Sequence, residues 1–344
     1  MKKPHAMLVA VVAAFAASST PGISQQASHA PARESPTLIL AAKVPLTGVS
    51  GRIDHFTFDP KRRLTIFSGL GNNTIEIVNN FQGRHVKTIT GLDEPQGPLY
   101  VPGLDKLFAA NAGNGVVNVY DAKTWNLRKS ISLGDESDTD NLRYDEDAKQ
   151  VFVGIVGGIA IIDALTEAHV GDLKGSGGHT ESFQLEKNGS RVFANVPADN
   201  SVVNVIDRKT GALARWDLNG AKANFPMILD ESNHRLFVIT RTPPLVVVLN
   251  TDTGKEVARV RVKAASDDAY FDAARKRIYV ICGEGYISVI QQNDPDHYAL
   301  IENIATITGA RTGGLLGANL YVGVPSGATG ATDPAQLWDY QAQE

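Results

Sequence analysis

One theme recurs seven times along this chain: a basic or polar residue, a short apolar run, a Gly/Asn turn, and a second β-branched run ending in an acidic or amide side chain. The first copy reads Arg63-Leu64-Thr65-Ile66-Phe67, Gly71-Asn72-Asn73, Thr74-Ile75-Glu76-Ile77-Val78-Asn79. The second reads Lys106-Leu107-Phe108-Ala109-Ala110-Asn111, Gly113-Asn114-Gly115, Val116-Val117-Asn118-Val119-Tyr120-Asp121. Further copies begin at Gln150, Arg191, Arg235, Arg277 and Asn319, so successive anchors lie 41 to 44 residues apart. Helical pairs and four-stranded blades both repeat at about this length. Here the runs are short, β-branched and separated by Gly, Asn and Asp, which is the chemistry of strands and turns. The expected fold is all-β: a seven-bladed β-propeller.

Each unit reads as four strands. The first is a stretch such as Phe56-Thr57-Phe58 or Met227-Ile228-Leu229, ending at an acidic turn (Asp59, Asp145, Asp230, Asp272). The second follows the basic anchor. The third ends in Asp121, Asp163, Asp207 or Asn250, whose short acceptor side chains suit Asp-x-x-Thr turns. A fourth follows, as in Val257-Ala258-Arg259-Val260-Arg261-Val262. The last unit stops after its third strand, Gln336-Leu337-Trp338-Asp339-Tyr340. Leu38 to Val44, ahead of the first unit, can supply the missing one and remove an open sheet edge. Loss of residues 36–47 is therefore expected to destabilise the whole ring.

The first residues do not follow the repeat. Lys2 and Lys3 precede an apolar stretch, Ala6 to Ala17, and small residues follow. That is a signal-peptide pattern, too short and Ala-rich for a membrane span. Residues 1–24 are expected to be the signal peptide, 25–36 a flexible segment and 37–344 the propeller. Export places the protein in the periplasm or outside the cell, with no membrane span after signal removal. The net charge of -4, with no run of more than three Lys/Arg after the leader, argues against nucleic acid as a partner. With 43% apolar residues the chain has ample material for a core. The one cysteine, Cys282, lies in an apolar strand-like run and reads as a buried small hydrophobe.

The runs Phe108-Ala109-Ala110-Asn111, Phe193-Ala194-Asn195 and Asn200-Ser201-Val202-Val203-Asn204-Val205-Ile206-Asp207 resemble the YVTN β-propeller repeat of YncE-like exported proteins. The resemblance extends over about residues 37 to 341. It implies a fold and a repeat type but no single activity, because such proteins include surface-layer and periplasmic binding propellers and are distantly similar to lactonase propellers.

Chemistry is expected where blades differ from their repeat. The innermost strands of a propeller line its channel, and the segments leading into them meet at one mouth. Those segments are polar: Arg52-Ile53-Asp54-His55, Glu94-Pro95-Gln96-Gly97, Asp138-Thr139-Asp140-Asn141, Gly178-His179-Thr180-Glu181, Ala223-Asn224-Phe225-Pro226, Ser266-Asp267-Asp268 and Ala310-Arg311-Thr312-Gly313. Aligned on the acidic turn, one ring position holds Asp54, Asp140, Glu181 and Asp267, and the next His55, Asn141 and Asp268; Gln96 comes from the second blade. Carboxylates converging on a narrow mouth must be protonated, paired with Arg52 or Arg311, or hold a cation. Oxygen donors suit Ca²⁺, Mg²⁺ or Mn²⁺, with Asp54, Asp140, Glu181 and Asp267 as ligands; His55 or His179 would admit Zn²⁺. The same residues can instead cap turns, and either histidine can be a channel-wall hydrogen-bonder.

No His-Glu-x-x-His or Gly-x-Ser-x-Gly motif occurs. Gly69-Leu70-Gly71 and Gly157-Gly158 read as hairpin turns, and Asp294-Pro295-Asp296-His297 as a turn at the rim. Three functions remain open: a binding protein holding a small ligand, cation or protein partner at the mouth; a metal-dependent lactonase or lyase there, with His55 or His179 as general base; and an interaction scaffold.

Overall fold

A computed structural model describes residues 35–134, 137–198 and 200–344. The expected signal peptide, and residues 25–34 of the segment after it, lie outside the described residues. The strands group into seven antiparallel sheets, each one blade of a β-propeller. Blade 1 consists of strands Phe56–Asp59, Leu64–Gly69, Thr74–Asn79 and Arg84–Ile89, ordered from the channel outward. The pattern repeats through blade 6, Ser266–Asp272 to His297–Ala305.

The seventh sheet contains both ends of the described chain. Its inner strands are Gly313–Leu316, Asn319–Val324 and Ala335–Ala342, and Leu38–Leu46 is the outermost. Leu38 pairs with Ala342 and Leu46 with Ala335, across one bulge between Leu40 and Ala42. Thr37 adds a clamp to the neighbouring blade: its N–H and hydroxyl both donate to Glu302 Oε2, at 2.8 and 2.7 Å.

The turns follow from their side chains. Asp121 Oδ1 accepts from the backbone N–H groups of Lys123 and Thr124 and from the Thr124 hydroxyl; Asp163, Asp207 and Asn250 repeat this set. One short acceptor thereby satisfies three donors that a hairpin would otherwise leave to water. Apolar side chains fill the seams between blades. In one seam Val101, Phe108, Val117 and Ile131 of blade 2 pack on Leu142, Val151, Ala160 and Ile162 of blade 3. Cys282 is fully buried, and burial pushes its thiol up to about 11, so it packs as a hydrophobe.

Blade 3 departs from the repeat in a way that matters for the site. Gln150–Asp163 is strand throughout, yet Ala164 N–H donates to Lys149 O at 2.9 Å. Fourteen extended residues would span roughly 46 Å, so the run doubles back on itself, and Gly157, at φ +82°, makes the fold. The following strand, Ala168–His179, runs past the hairpin until His179 pairs with Val156, which carries His179 to the channel mouth.

Candidate functional site at the channel mouth

The same pair of backbone bonds sets three of the lead-in segments. Asp54 N–H donates to Ser68 O and Ser68 N–H to His55 O; Asp140 and Asn141 use Gly154, and Glu181 and Ser182 use Asn195. Asp54, Asp140 and Glu181 therefore hold equivalent positions in their blades. At Gly154 the reason for glycine is local: a Cβ there would lie 2.6 Å from Thr180 O, the residue before Glu181.

The mouth encloses a cavity of about 180 Å³. Its walls carry opposite charge. On one side Asp267 is grasped from three blades: by Arg311 Nε at 2.8 Å, by Arg52 Nη2 at 3.1 Å and by Arg241 Nη2. Arg241 also stacks on Phe225, 3.5 Å from the ring centroid. Three guanidiniums around one carboxylate leave an excess of positive charge on that wall. On the other side, Asp140, His179 and Glu181 each offer one donor atom within 4.8 Å of the others. Glu181 Oε1 accepts from His179 Nδ1 at 3.3 Å, and His179 Nε2 donates to Asp138 O at 2.8 Å. Asp140 Oδ1 is buried and has no hydrogen-bond partner.

His55 forms the floor. Its Nδ1 donates to Asp268 Oδ1 at 3.0 Å, while Asp268 Oδ2 accepts from Gly313 N–H at 2.9 Å. Its Nε2 lies 3.2 Å from the Asn141 amide, 3.6 Å from Asp140 Oδ1 and 3.9 Å from Asp54 Oδ1. Burial alone would depress this imidazole, but Asp268, Asp54 and Asp140 together hold it well above its ordinary value. Burial opposes protonation of His179 too, yet Glu181, with Asp140 and Asp138, raises it to about 9. Both shifts favour the imidazolium form in the cation-free mouth, a form with no lone pair to act as a general base.

The two buried carboxylates are raised as well, here by burial itself. Burial lifts Asp54 to about 7 and Asp140 to about 6, against the pull of His55 on both. Asp54 sits 3.0 Å from Arg52 Nη2, but neither of its oxygens has an aligned hydrogen bond.

Of the residues expected at the mouth, Arg52, His55, Gln96, Asp140, His179, Glu181, Asp267 and Arg311 line the cavity. Asn141 and Asp268 face a second cavity further along the channel. Asp54 supports His55 and Arg52 from a buried position. Asn224 is a strut: its amide donates to Asn195 Oδ1 at 2.9 Å and to Val202 O at 3.0 Å. Of the four carboxylates considered as cation ligands, Asp140 and Glu181 come together, with His179; Asp267 is engaged by arginines. Sequence reading missed Arg241. The signal was there: a charged residue near the end of an otherwise apolar second strand of blade 5, Arg235-Leu236-Phe237-Val238-Ile239-Thr240-Arg241. A larger depression of 660 Å³, which includes Glu186, Arg191, Glu231 and His234, lies elsewhere, and its Arg191 is bound to Glu186.

No family model and no curated protein matches the sequence. Solved structures share the fold. A chain of Kuenenia stuttgartiensis hydrazine synthase superposes with a TM-score of 0.69 at 16% identity, covering 80% of this chain and 95% of that one. A chain of a mitotic checkpoint complex gives 0.73 at 16% identity, covering 98% and 100%. At that identity the likeness is one of fold alone. Among the described residues no helix is long and apolar enough to cross a membrane.

Proposed function

We propose that this chain is an exported, periplasmic or secreted propeller of the YVTN-repeat kind that binds a small polar ligand at its channel mouth, with a divalent cation held by Asp140, His179 and Glu181. The observation that carries the reading is the division of charge across the 180 Å³ cavity. One wall offers a mixed nitrogen and oxygen donor set, including a buried carboxylate oxygen without a hydrogen-bond partner. Such a set suits Zn²⁺ or Mn²⁺ better than the all-oxygen shells of Ca²⁺ and Mg²⁺. The opposite wall offers guanidiniums, which suit an anionic group on the same ligand.

The imidazolium held at His55 disfavours a lactonase or lyase that uses it as base, and a cation on His179 would take the ring nitrogen that such a base needs. A scaffold acting through its outer rims would leave the mouth without consequence. Elemental mass spectrometry of the purified protein, with melting curves before and after chelation, tests the reading. A stoichiometric cation is expected, its removal lowering the melting temperature, and Asp140→Asn or Glu181→Gln abolishing both effects. A protein free of metal and indifferent to chelator would sink the cation. Turnover of lactones by the loaded protein would move the assignment to the enzyme.

A further inference from the structure

The channel of this propeller is divided. His55 lines the mouth cavity and also a second cavity of about 310 Å³ further along the same strands. Its bonds to Asp268 and Asn141 form the partition. The second cavity belongs to a different environment. Phe56, Met227, Ile228, Leu229 and Phe271 make much of its wall apolar, and the Arg143 guanidinium reaches into it beside His55. Its volume lies at the low end of sites for small organic ligands.

Among the described residues Arg143 has no salt-bridge partner. Its Nη1 donates to Leu142 O at 2.8 Å, and its remaining contacts, to Asn141 Oδ1 and Ser182 Oγ, are long at 3.4 Å. Its other neighbour is the Phe183 ring, 5.4 Å from the guanidinium carbon. It forms no ion pair with any described residue. Asp268, the carboxylate in the same cavity wall, is hydrogen-bonded to His55. A guanidinium does not lose its proton in a protein, so burial leaves it charged and poorly solvated. Its planar donors match a carboxylate, and a single guanidinium beside the Asp268 carboxylate matches a monoanion better than a phosphate.

We infer that the second channel cavity is a binding site for a small monocarboxylate with an apolar body, the carboxylate on Arg143 and the body against Phe56, Met227 and Phe271. The site is separate from the mouth and does not depend on a cation there.

Calorimetric titration of the purified full-length protein with phenylacetate and hexanoate tests this, with phenylacetamide and hexan-1-ol as neutral controls. Both acids should bind saturably and at least tenfold more tightly than their neutral counterparts. Arg143→Gln should weaken the acids at least tenfold and leave the neutral compounds unchanged. Arg143→Lys keeps the charge without the planar fork and should bind at an intermediate level, which also covers a glutamine variant that does not fold. Arg311→Ala, on the mouth side of the partition, should bind both acids as the parent does. Three results would overturn the assignment: neither acid binds, a folded Arg143→Gln binds them as the parent does, or Arg311→Ala abolishes their binding.

Discussion

Single side chains set the protonation balance of the mouth, and Asp54 is the clearest case. Its carboxyl is completely buried, and burial raises it to about 7 from the ordinary 3.8. The folded state thus holds a proton over a range where the unfolded chain does not. Stability from this group is complete below about pH 4 and is lost as pH rises through about 7. His179 acts in the same direction at higher pH, since its value is raised to about 9 from 6.5. Cation-free protein should therefore melt at a lower temperature at pH 8 than at pH 5. Asp54→Asn keeps the shape and removes the ionisation. It is expected to narrow that difference by an amount on the order of 3 kcal/mol, raising the melting temperature at pH 8 and not at pH 4. Equal melting curves for parent and variant at both pH values would show that Asp54 is not a buried ionising group.

At the scale of the strand, the alternation of buried and exposed residues decides what each substitution costs. On the closing strand Leu38–Leu46, Leu46 is 0% exposed and packs with Phe67, Val78 and Leu337, whereas Leu40 is 38% exposed. Leu46→Ala should cost about 2–5 kcal/mol in urea unfolding, and Leu40→Ala less than about 0.5 kcal/mol. Similar losses at the two positions would mean that the strand is not seated in its sheet. Strands and turns were legible in the sequence because their determinants are local: Asp121, Asp163, Asp207 and Asn250 each build a turn within four residues. The ring positions of Asp54, Asp140 and Glu181 were legible for the same reason, since the repeat fixes their register. The division of labour among those carboxylates was not. Asp267 meets arginines from three blades, Arg52, Arg241 and Arg311, and nothing near Asp267 in sequence marks that convergence. Asn224 shows the converse: its position in the repeat matches the mouth, but its amide turns into the seam and ties two blades together.

The ring as a whole raises a question of cooperativity. Open repeat arrays are nearly one-dimensional, with end repeats that touch one neighbour and melt at lower cost. Here the pairing of Leu38–Leu46 with Ala335–Ala342 gives every blade two neighbours, so no blade is an end. The three tryptophans report from separate seams: Trp125 packs with the cluster of blades 1 and 2, Trp216 with that of blades 4 and 5, and Trp338 with that of blades 6 and 7. Variants that retain one tryptophan each should show the same urea midpoint by fluorescence, coincident with the loss of strand signal in circular dichroism. Deleting residues 36–47 removes the outer strand of blade 7 and exposes Trp338 and its neighbours. In that deletion the Trp338 midpoint should fall first, and the Trp125 and Trp216 transitions should follow at higher urea. If the intact ring already melts in separate steps, closure does not couple the blades. If the deletion leaves the three midpoints coincident and unshifted, the closing strand contributes nothing to holding the ring.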